Sequence, residues 1–194
     1  MRRRLFAQSA FILATGMAGC ASAVTHDYRM IPTAGVPRNT AAGVIEIRSI
    51  GIPAYLDQDN IAKPGGAAEF SSYANDLWAA PLAGMLQAVM VQDLSQRLPG
   101  STILGSNGAI SSPAQAVVEI EVLQFDPMPD GGIQLSMQTA LKSGKDHSLL
   151  VMQSWSASAQ PASSTAMDIV RAMSTLWGLA ADQIASMIVA GIAR

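Results

Sequence analysis

Apolar and polar positions alternate most regularly in the second half of the chain. Residues 133–141 place Ile133, Leu135, Met137 and Leu141 on one side of an extended backbone and Gln134, Ser136 and Gln138 on the other, the period-two signature of a strand with one buried face. Residues 117–125 and 149–157 are similarly strand-like, and the segments between them, Pro127-Met128-Pro129-Asp130-Gly131-Gly132 and Ser143-Gly144-Lys145-Asp146, have hairpin composition. The pattern predicts three long strands in an antiparallel meander. Upstream, residues 44–50 set Ile45 and Ile47 against Glu46 and Arg48, predicting a half-buried strand that Pro53 ends or marks as an edge. Shorter strands are expected at 61–62, around 69–71 and at 102–104, and Asp57-Gln58-Asp59-Asn60 reads as a polar turn.

Two stretches change period. Trp78, Leu82, Met85, Leu86, Val89, Leu94 and Leu98 recur at helical spacing, predicting an amphipathic helix over 77–98 with Pro81 near its first turn and Pro99-Gly100 as its stop. Ile169, Met173, Leu176, Ala180, Ile184 and Ile188 form a second stripe, after a start at Thr165 to Asp168 that resembles a capping box. Two amphipathic helices covering one face of an antiparallel sheet of four to five strands make an α+β two-layer sandwich. Residues 21–43 have no period and read as a flexible tether with a short ordered piece near Tyr28-Arg29-Met30.

The N-terminal twenty residues belong to another grammar. Met1-Arg2-Arg3-Arg4 is basic, residues 5–18 are mostly apolar, and Met17-Ala18-Gly19 lead into Cys20, the single cysteine. A run this short, interrupted by Gln8 and Ser9, reads as an export signal and not as a spanning helix, which needs about 20 apolar residues. Its end resembles a bacterial lipobox, with Met17 where Leu is usual. That resemblance implies cleavage before Cys20 and a diacylglyceryl group and an N-acyl chain on it. The expected organisation is a leader at 1–19, the lipidated Cys20 and tether at 20–43, and one periplasmic domain at 44–194. Removing the leader takes Arg2, Arg3 and Arg4 with it, leaving the mature chain three units more acidic than the full chain's −2. Ala21, where an inner-membrane lipoprotein of this kind would carry Asp, implies onward sorting to the outer membrane, facing the periplasm. The apolar stretch near the C-terminus is broken by Asp182, Gln183 and Ser186 and offers no second anchor.

Composition narrows the chemistry. At 49% hydrophobic and 13% charged residues, the chain has too much apolar content for a disordered tail and too few cations for a nucleic-acid surface. One cysteine makes no internal disulfide, and two histidines build no multi-ligand zinc site. With Cys20 committed to lipid and His26 in the tether, His147 stands in a turn without a nucleophile to serve, and no G-x-S-x-G elbow surrounds any serine. Asp57 and Asp59 lack the remaining ligands of a calcium loop, Glu119 and Glu121 share one strand face instead of flanking a bond, and Gly65-Gly66 opens no long helix. The domain is therefore expected to be non-enzymatic, with no metal and no cofactor beyond the covalent lipid. Trp78, Trp155 and Trp177, with Tyr55 and Tyr73, fill the core between sheet and helices in the simplest reading, or line a lipid groove or partner patch.

Several segments together resemble the ABC-type transport auxiliary lipoproteins. Ile52-Pro53-Ala54-Tyr55-Leu56-Asp57 is similar to that family's Pro-x-Tyr-Leu segment, with Ile61-Ala62-Lys63 as the strand after it, and Trp78-Ala79-Ala80-Pro81-Leu82 to its Trp-x-x-Pro-Leu helix start. Leu94 to Leu98 match the end of that helix, Val118 to Phe125 the strand that ends in Phe, and Ala172-Met173-Ser174 through Ile184-Ala185 the final helix. Ala80 stands where an acidic residue is common, Leu77 where a basic one is, and residues 133–141 lack the family's frequent Trp. The resemblance implies a component of a system in which an inner-membrane ATPase and permease, with a periplasmic MCE-domain protein, move phospholipid between membranes. The lipoprotein would dock the MCE assembly at the outer membrane, with Tyr55, Leu56, Trp78, Pro81 and Leu82 as candidate partner or lipid contacts. The same resemblance implies assembly into homo-oligomeric rings. The alternative is a lipid-binding shuttle that encloses an acyl chain between sheet and helices.

Overall fold

The computed structural model describes residues 23–39, 42–66 and 68–192. The leader expected at 1–19 and the expected lipidation site, Cys20, lie outside the described residues. The elements run β1 (His26–Tyr28), β2 (Gly43–Ile47), β3 (Asn60–Lys63), β4 (Ser71–Trp78), α1 (Leu82–Arg97), β5 (Ser101–Gly105), β6 (Ala116–Pro127), β7 (Ile133–Ser143), β8 (Leu149–Ala159) and α2 (Ala166–Ile192).

The long strands form the meander that their alternation predicts. β6 and β7 pair antiparallel from Ala116 opposite Ser143 to Pro127 opposite Ile133, and β8 continues the sheet along β7. Ile133, Leu135, Met137 and Leu141 are all buried on the helix side, and Thr139, on the same face, sets its hydroxyl 3.7 Å from Met187 Sδ on α2. The sheet is not purely antiparallel, however. β2 lies between β5 and β6 and is parallel to both, giving the order β5-β2-β6-β7-β8, and a second sheet, β1-β4-β3, has β1 parallel to β4. The expected single antiparallel sheet of four to five strands is corrected to a mixed five-stranded sheet plus a three-stranded one. Connectivity is the reason. α1 carries the chain back along the sheet before β5, so β5 starts level with β2, and residues 106–115 return it again before β6; a strand reached by such a crossover is parallel to its neighbour.

Both helices cover the same face of the five-stranded sheet, α1 over β2 and β5, α2 over β7 and β8, and they touch each other. Trp177 on α2 is fully buried, stacked on Phe125 of β6 at 5.9 Å between ring centroids, and donates its Nε1–H to the Leu86 carbonyl of α1 at 3.0 Å. α2 is the one described helix long and apolar enough to cross a bilayer, yet 56% of its most apolar window is buried in the protein, which makes it the core helix of this fold. Its start is capped by Thr165, whose hydroxyl accepts the Asp168 amide at 3.3 Å. Asp168 does not return the bond as in a capping box; it accepts the Ser163 hydroxyl at 2.6 Å.

The helix predicted over 77–98 begins five residues later. Leu77 and Trp78 end β4, where the Trp78 amide donates to Asp59 O at 2.7 Å and the Ala79 amide to Tyr28 O at 2.8 Å. Pro81 explains the break: the residue before a proline is driven out of the helical region, so a helix cannot run through Ala80, and Pro81 itself serves as N-cap with φ −51° and ψ 128°.

The tether is also shorter than its composition predicts. β1 pairs with β4, Met30 is buried, and residues 31–38 are strapped across the two helices. The Ile31 amide donates to Ser174 Oγ at 3.2 Å, the Thr33 amide to Asp93 Oδ1 at 2.7 Å and the Arg38 amide to Arg97 O at 2.7 Å. Arg97, 1% exposed, is the centre of this strap: it donates to the carbonyls of Thr33, Asp93, Ala34 and Gly178 and, through Nε at 2.6 Å, to Asp182. The strap fits so closely at Gly178 that a Cβ there would collide with the Thr33 side chain. A polar, aperiodic sequence becomes ordered because its backbone groups find buried side-chain partners.

Candidate functional site

Tyr55 sits on a 3-10 turn, Ala54–Leu56, that follows Pro53. The turn divides two neighbours by burial: Leu56 enters the core at 4% exposure while Tyr55 stays 42% exposed. The Tyr55 ring meets Phe70 edge-on, with centroids 5.5 Å apart and planes at 65°, a favoured aromatic geometry. Its hydroxyl donates to Asp126 Oδ1 at 3.1 Å. Between the loop joining β3 to β4 and the end of β6 lies a cleft of about 350 Å³, whose walls include Tyr55, Phe70, Lys63, Asp126 and Met128.

Electrostatics follow from that placement. Partial burial, then the Asp126 charge and the hydrogen bond to it, push the Tyr55 phenol up to about 12. Burial also raises Asp126 above the ordinary 3.8, opposed by hydrogen bonds from Tyr55, Gln124 and the Phe125 amide. Tyr55 is thus a neutral donor and Asp126 its acceptor. Tyr55→Phe is expected to lose about 0.5–1 kcal/mol, the ordinary worth of one half-exposed hydrogen bond. Since the hydroxyl steadies the carboxylate, its removal raises the Asp126 pKa further. A raised carboxyl pKa gives stability below the unfolded value that is lost as pH rises through the folded one, so the deficit should be larger in thermal melts at pH 7 than at pH 4. An equal deficit at both would separate Tyr55 from Asp126.

Of the candidate contact residues, Leu56, Trp78 and Leu82 are core residues at 4%, 8% and 2% exposure, which removes them from any free surface. Tyr55 and Pro81 are exposed, but at opposite ends of β4: Phe70, against Tyr55, precedes its first residue, and Pro81 follows its last. Trp155 is half-buried against the core, and Tyr73 donates to the Ser164 carbonyl. A larger groove of about 650 Å³ crosses the outer face of the five-stranded sheet, with Glu46, Arg48, Glu121 and Met152 along it. Glu119, in the same groove, pairs with Lys142 at 2.6 Å and Glu46 with Arg48 at 3.6 Å. These are surface ion pairs on one sheet face and supply no acid–base couple across a bond. His147 is exposed in the β7–β8 turn with φ 58°. Among the described residues, no three of His, Cys, Asp and Glu gather as metal ligands.

Phe70 and the grouping of Asp93, Arg97 and Asp182 carry no signal of their roles in any single sequence motif. The helical stripe signals only the burial of two of them: Asp93 and Arg97 continue the spacing of Leu82, Leu86, Val89 and Met90, placing both charges on the buried face of α1.

Comparison with known proteins agrees with this architecture. The model of a family described as ABC-type transport auxiliary lipoprotein component matches residues 28–185, from the end of β1 to near the end of α2. The intermembrane transport lipoprotein PqiC of Escherichia coli (strain K12) is 27% identical over 134 residues, covering 64% of this chain and 68% of that protein, and PqiC of Shigella flexneri matches equally. A crystal structure of an uncharacterized protein superposes with a TM-score of 0.72 at 18% identity, covering 86% of this chain and 99% of the other. Protein XCC0632 from Xanthomonas campestris gives 0.68 at 14% identity, with 85% and 96% covered. These two structures share the fold. The family match spans β2 through β8, α1 and most of α2, and the chain belongs to the ABC-type transport auxiliary lipoprotein family.

Proposed function

We propose that this chain is the outer-membrane-anchored periplasmic lipoprotein of an intermembrane phospholipid transport system. Cys20, carrying diacylglyceryl and N-acyl chains after removal of 1–19, holds the domain at the bilayer, and the domain docks the periplasmic MCE-domain protein. Through that protein it connects to the inner-membrane permease and ATPase. The observation that carries this reading is the family match over 28–185, joined to relatives named as intermembrane transport lipoproteins. The leader and the single cysteine of the sequence support it independently. In this reading the chain breaks no bond; it acts by being held in place while cargo passes between membranes.

Packing favours docking over the shuttle reading. The layer between sheet and helices, where a shuttle would enclose an acyl chain, is occupied by Phe125, Trp177, Leu135, Met173, Ile184 and Ile188, each no more than 2% exposed. Opening that layer would cost the stacked Phe125–Trp177 pair and the Trp177 hydrogen bond. The mature chain and the MCE-domain protein of the same organism are therefore expected to co-elute in size-exclusion chromatography in detergent, without stoichiometric phospholipid on the lipoprotein alone. Separate elution would sink the docking role, and one bound phospholipid per chain would favour the shuttle.

A further inference from the structure

We infer that the end of the domain bearing Tyr55, Phe70 and Met128 rests in the headgroup region of the bilayer to which Cys20 is attached. The inference rests on acylation of Cys20 and adds to it an orientation and a second, non-covalent contact.

The direction of the chain carries the argument. β1 is parallel to β4, with His26 opposite Asp76 and Tyr28 opposite Trp78. Going backwards from His26 toward Cys20 is therefore going toward Ser71 and Phe70, the loop end of the β3–β4 hairpin. Six residue steps separate Cys20 from His26, a reach of at most about 20 Å when fully extended. With the strap fixing residues 31–38 and pairing fixing 26–28, the chain leaves β1 toward this end, and a chain extended over those six residues brings Cys20 level with Phe70.

The same end gathers exposed apolar side chains. Phe70 and Tyr55 are each 42% exposed and Met128 36%. Tyr55 and Phe70 face Met128 and Pro129 of the β6–β7 turn across the cleft, so three separate chain segments converge there. Aromatic rings with a polar tip belong at the membrane–water interface. Charge argues for an apolar contact and not an ionic one, because Lys63 is offset by Glu69 and Asp126 around the cleft and draws no net attraction from anionic lipid. Such a patch binds weakly alone, but the tether makes the encounter intramolecular and keeps the effective lipid concentration high.

The opposite end supplies the control. Since Pro127 pairs with Ile133 and Ala116 with Ser143, the β7–β8 turn around Lys145 lies at the far end of the meander, about 35 Å away for strands of this length. In the mature protein the only native cysteine is acylated, so Ala68→Cys, Met128→Cys or Lys145→Cys introduces one free thiol for an environment-sensitive fluorophore. The full lipidated chain would be placed in phosphatidylethanolamine–phosphatidylglycerol vesicles containing phospholipid brominated near the headgroup, after intact mass has verified the acyl groups. Labels at 68 and 128 are expected to shift to the blue and be quenched, and the label at 145 to do neither. Acylated protein whose labels at 68 and 128 are as unquenched as that at 145 overturns the orientation while leaving the anchor intact. Blue-shifted labels without bromine quenching, already seen in detergent, mean that a second copy covers the patch, and also overturn it. An unmodified Cys20 in the mass spectrum removes the premise and refutes both readings.

Discussion

Arg97→Met is expected to destabilise the domain by about 3–5 kcal/mol, the usual result of removing one member of a buried ion pair. The guanidinium is 1% exposed, bonds both Asp182 oxygens at 2.6 and 3.3 Å, and lies 3.8 Å from the Asp93 carboxylate, which is itself fully buried. Its loss leaves Asp93 charged among apolar atoms, with only the Thr33 amide on Oδ1 and no protein partner on Oδ2. Methionine preserves much of the packing, so the effect reports the charge and its hydrogen bonds more than a cavity. For a domain of this size the melting temperature should fall by about 10 °C. Burial already raises Asp93 above its ordinary 3.8, ahead of the lowering effects of the Thr33 amide and Arg97. Without Arg97 it rises further. A raised carboxyl favours the folded state below the unfolded pKa and loses that contribution as pH rises through the folded value, so the deficit should shrink on acidification toward pH 4. Asp93→Asn added to Arg97→Met should recover part of the loss, since the Asn carbonyl still accepts the Thr33 amide. A melt unchanged by Arg97→Met would show that the strap is held by its backbone contacts alone.

Cys20→Ser, carried behind a general secretory signal in place of residues 1–19, is expected to move the folded protein from the membrane to the soluble periplasmic fraction. One acyl chain binds a membrane only marginally, whereas two or more, at about 0.8 kcal/mol per buried CH₂, hold it for practical purposes permanently. The Tyr55–Phe70–Met128 end offers far less apolar area than an acyl chain and should not retain the variant by itself. Fractionation with a melting curve on the released protein checks both the release and the fold. Sedimentation of the variant with the outer membrane would show that something other than lipid on Cys20 is the anchor. Core helix α2 is no substitute anchor, because withdrawing it would expose the meander it covers.

Much of the fold was legible because its signals are local. Alternation along 133–141 reports directly which side chains face the helices, and glycine, proline and aspartate at 127–132 report a turn whatever surrounds them. The stripe from Ile169 to Ile188 is buried throughout. The start of α1 was misplaced by counting Trp78 into a helical stripe, when β1 and β3 both pair with its strand; partners far away in sequence overrode a local period. The candidate site was legible only in part. Tyr55 stood out as an aromatic in a Pro-led segment, but its neighbours Phe70 and Asp126 are 15 and 71 residues away, and no local pattern joins them.

By itself the sequence determined the meander, the two amphipathic helices, the charge-poor composition and the basic, then apolar, stretch before the single cysteine, since each follows from neighbouring residues or from spacing along one element. Only the tertiary structure decided that β2 has two parallel neighbours, that residues 31–38 are fixed, that Asp93 and Arg97 are interior charges, and that Tyr55, Phe70 and Met128 share one end of the domain. Those outcomes depend on which backbone and side-chain groups meet from separate parts of the chain, as Thr33 meets Asp93 across 60 residues, and a buried polar group is settled by the partner that reaches it, not by its own residue type.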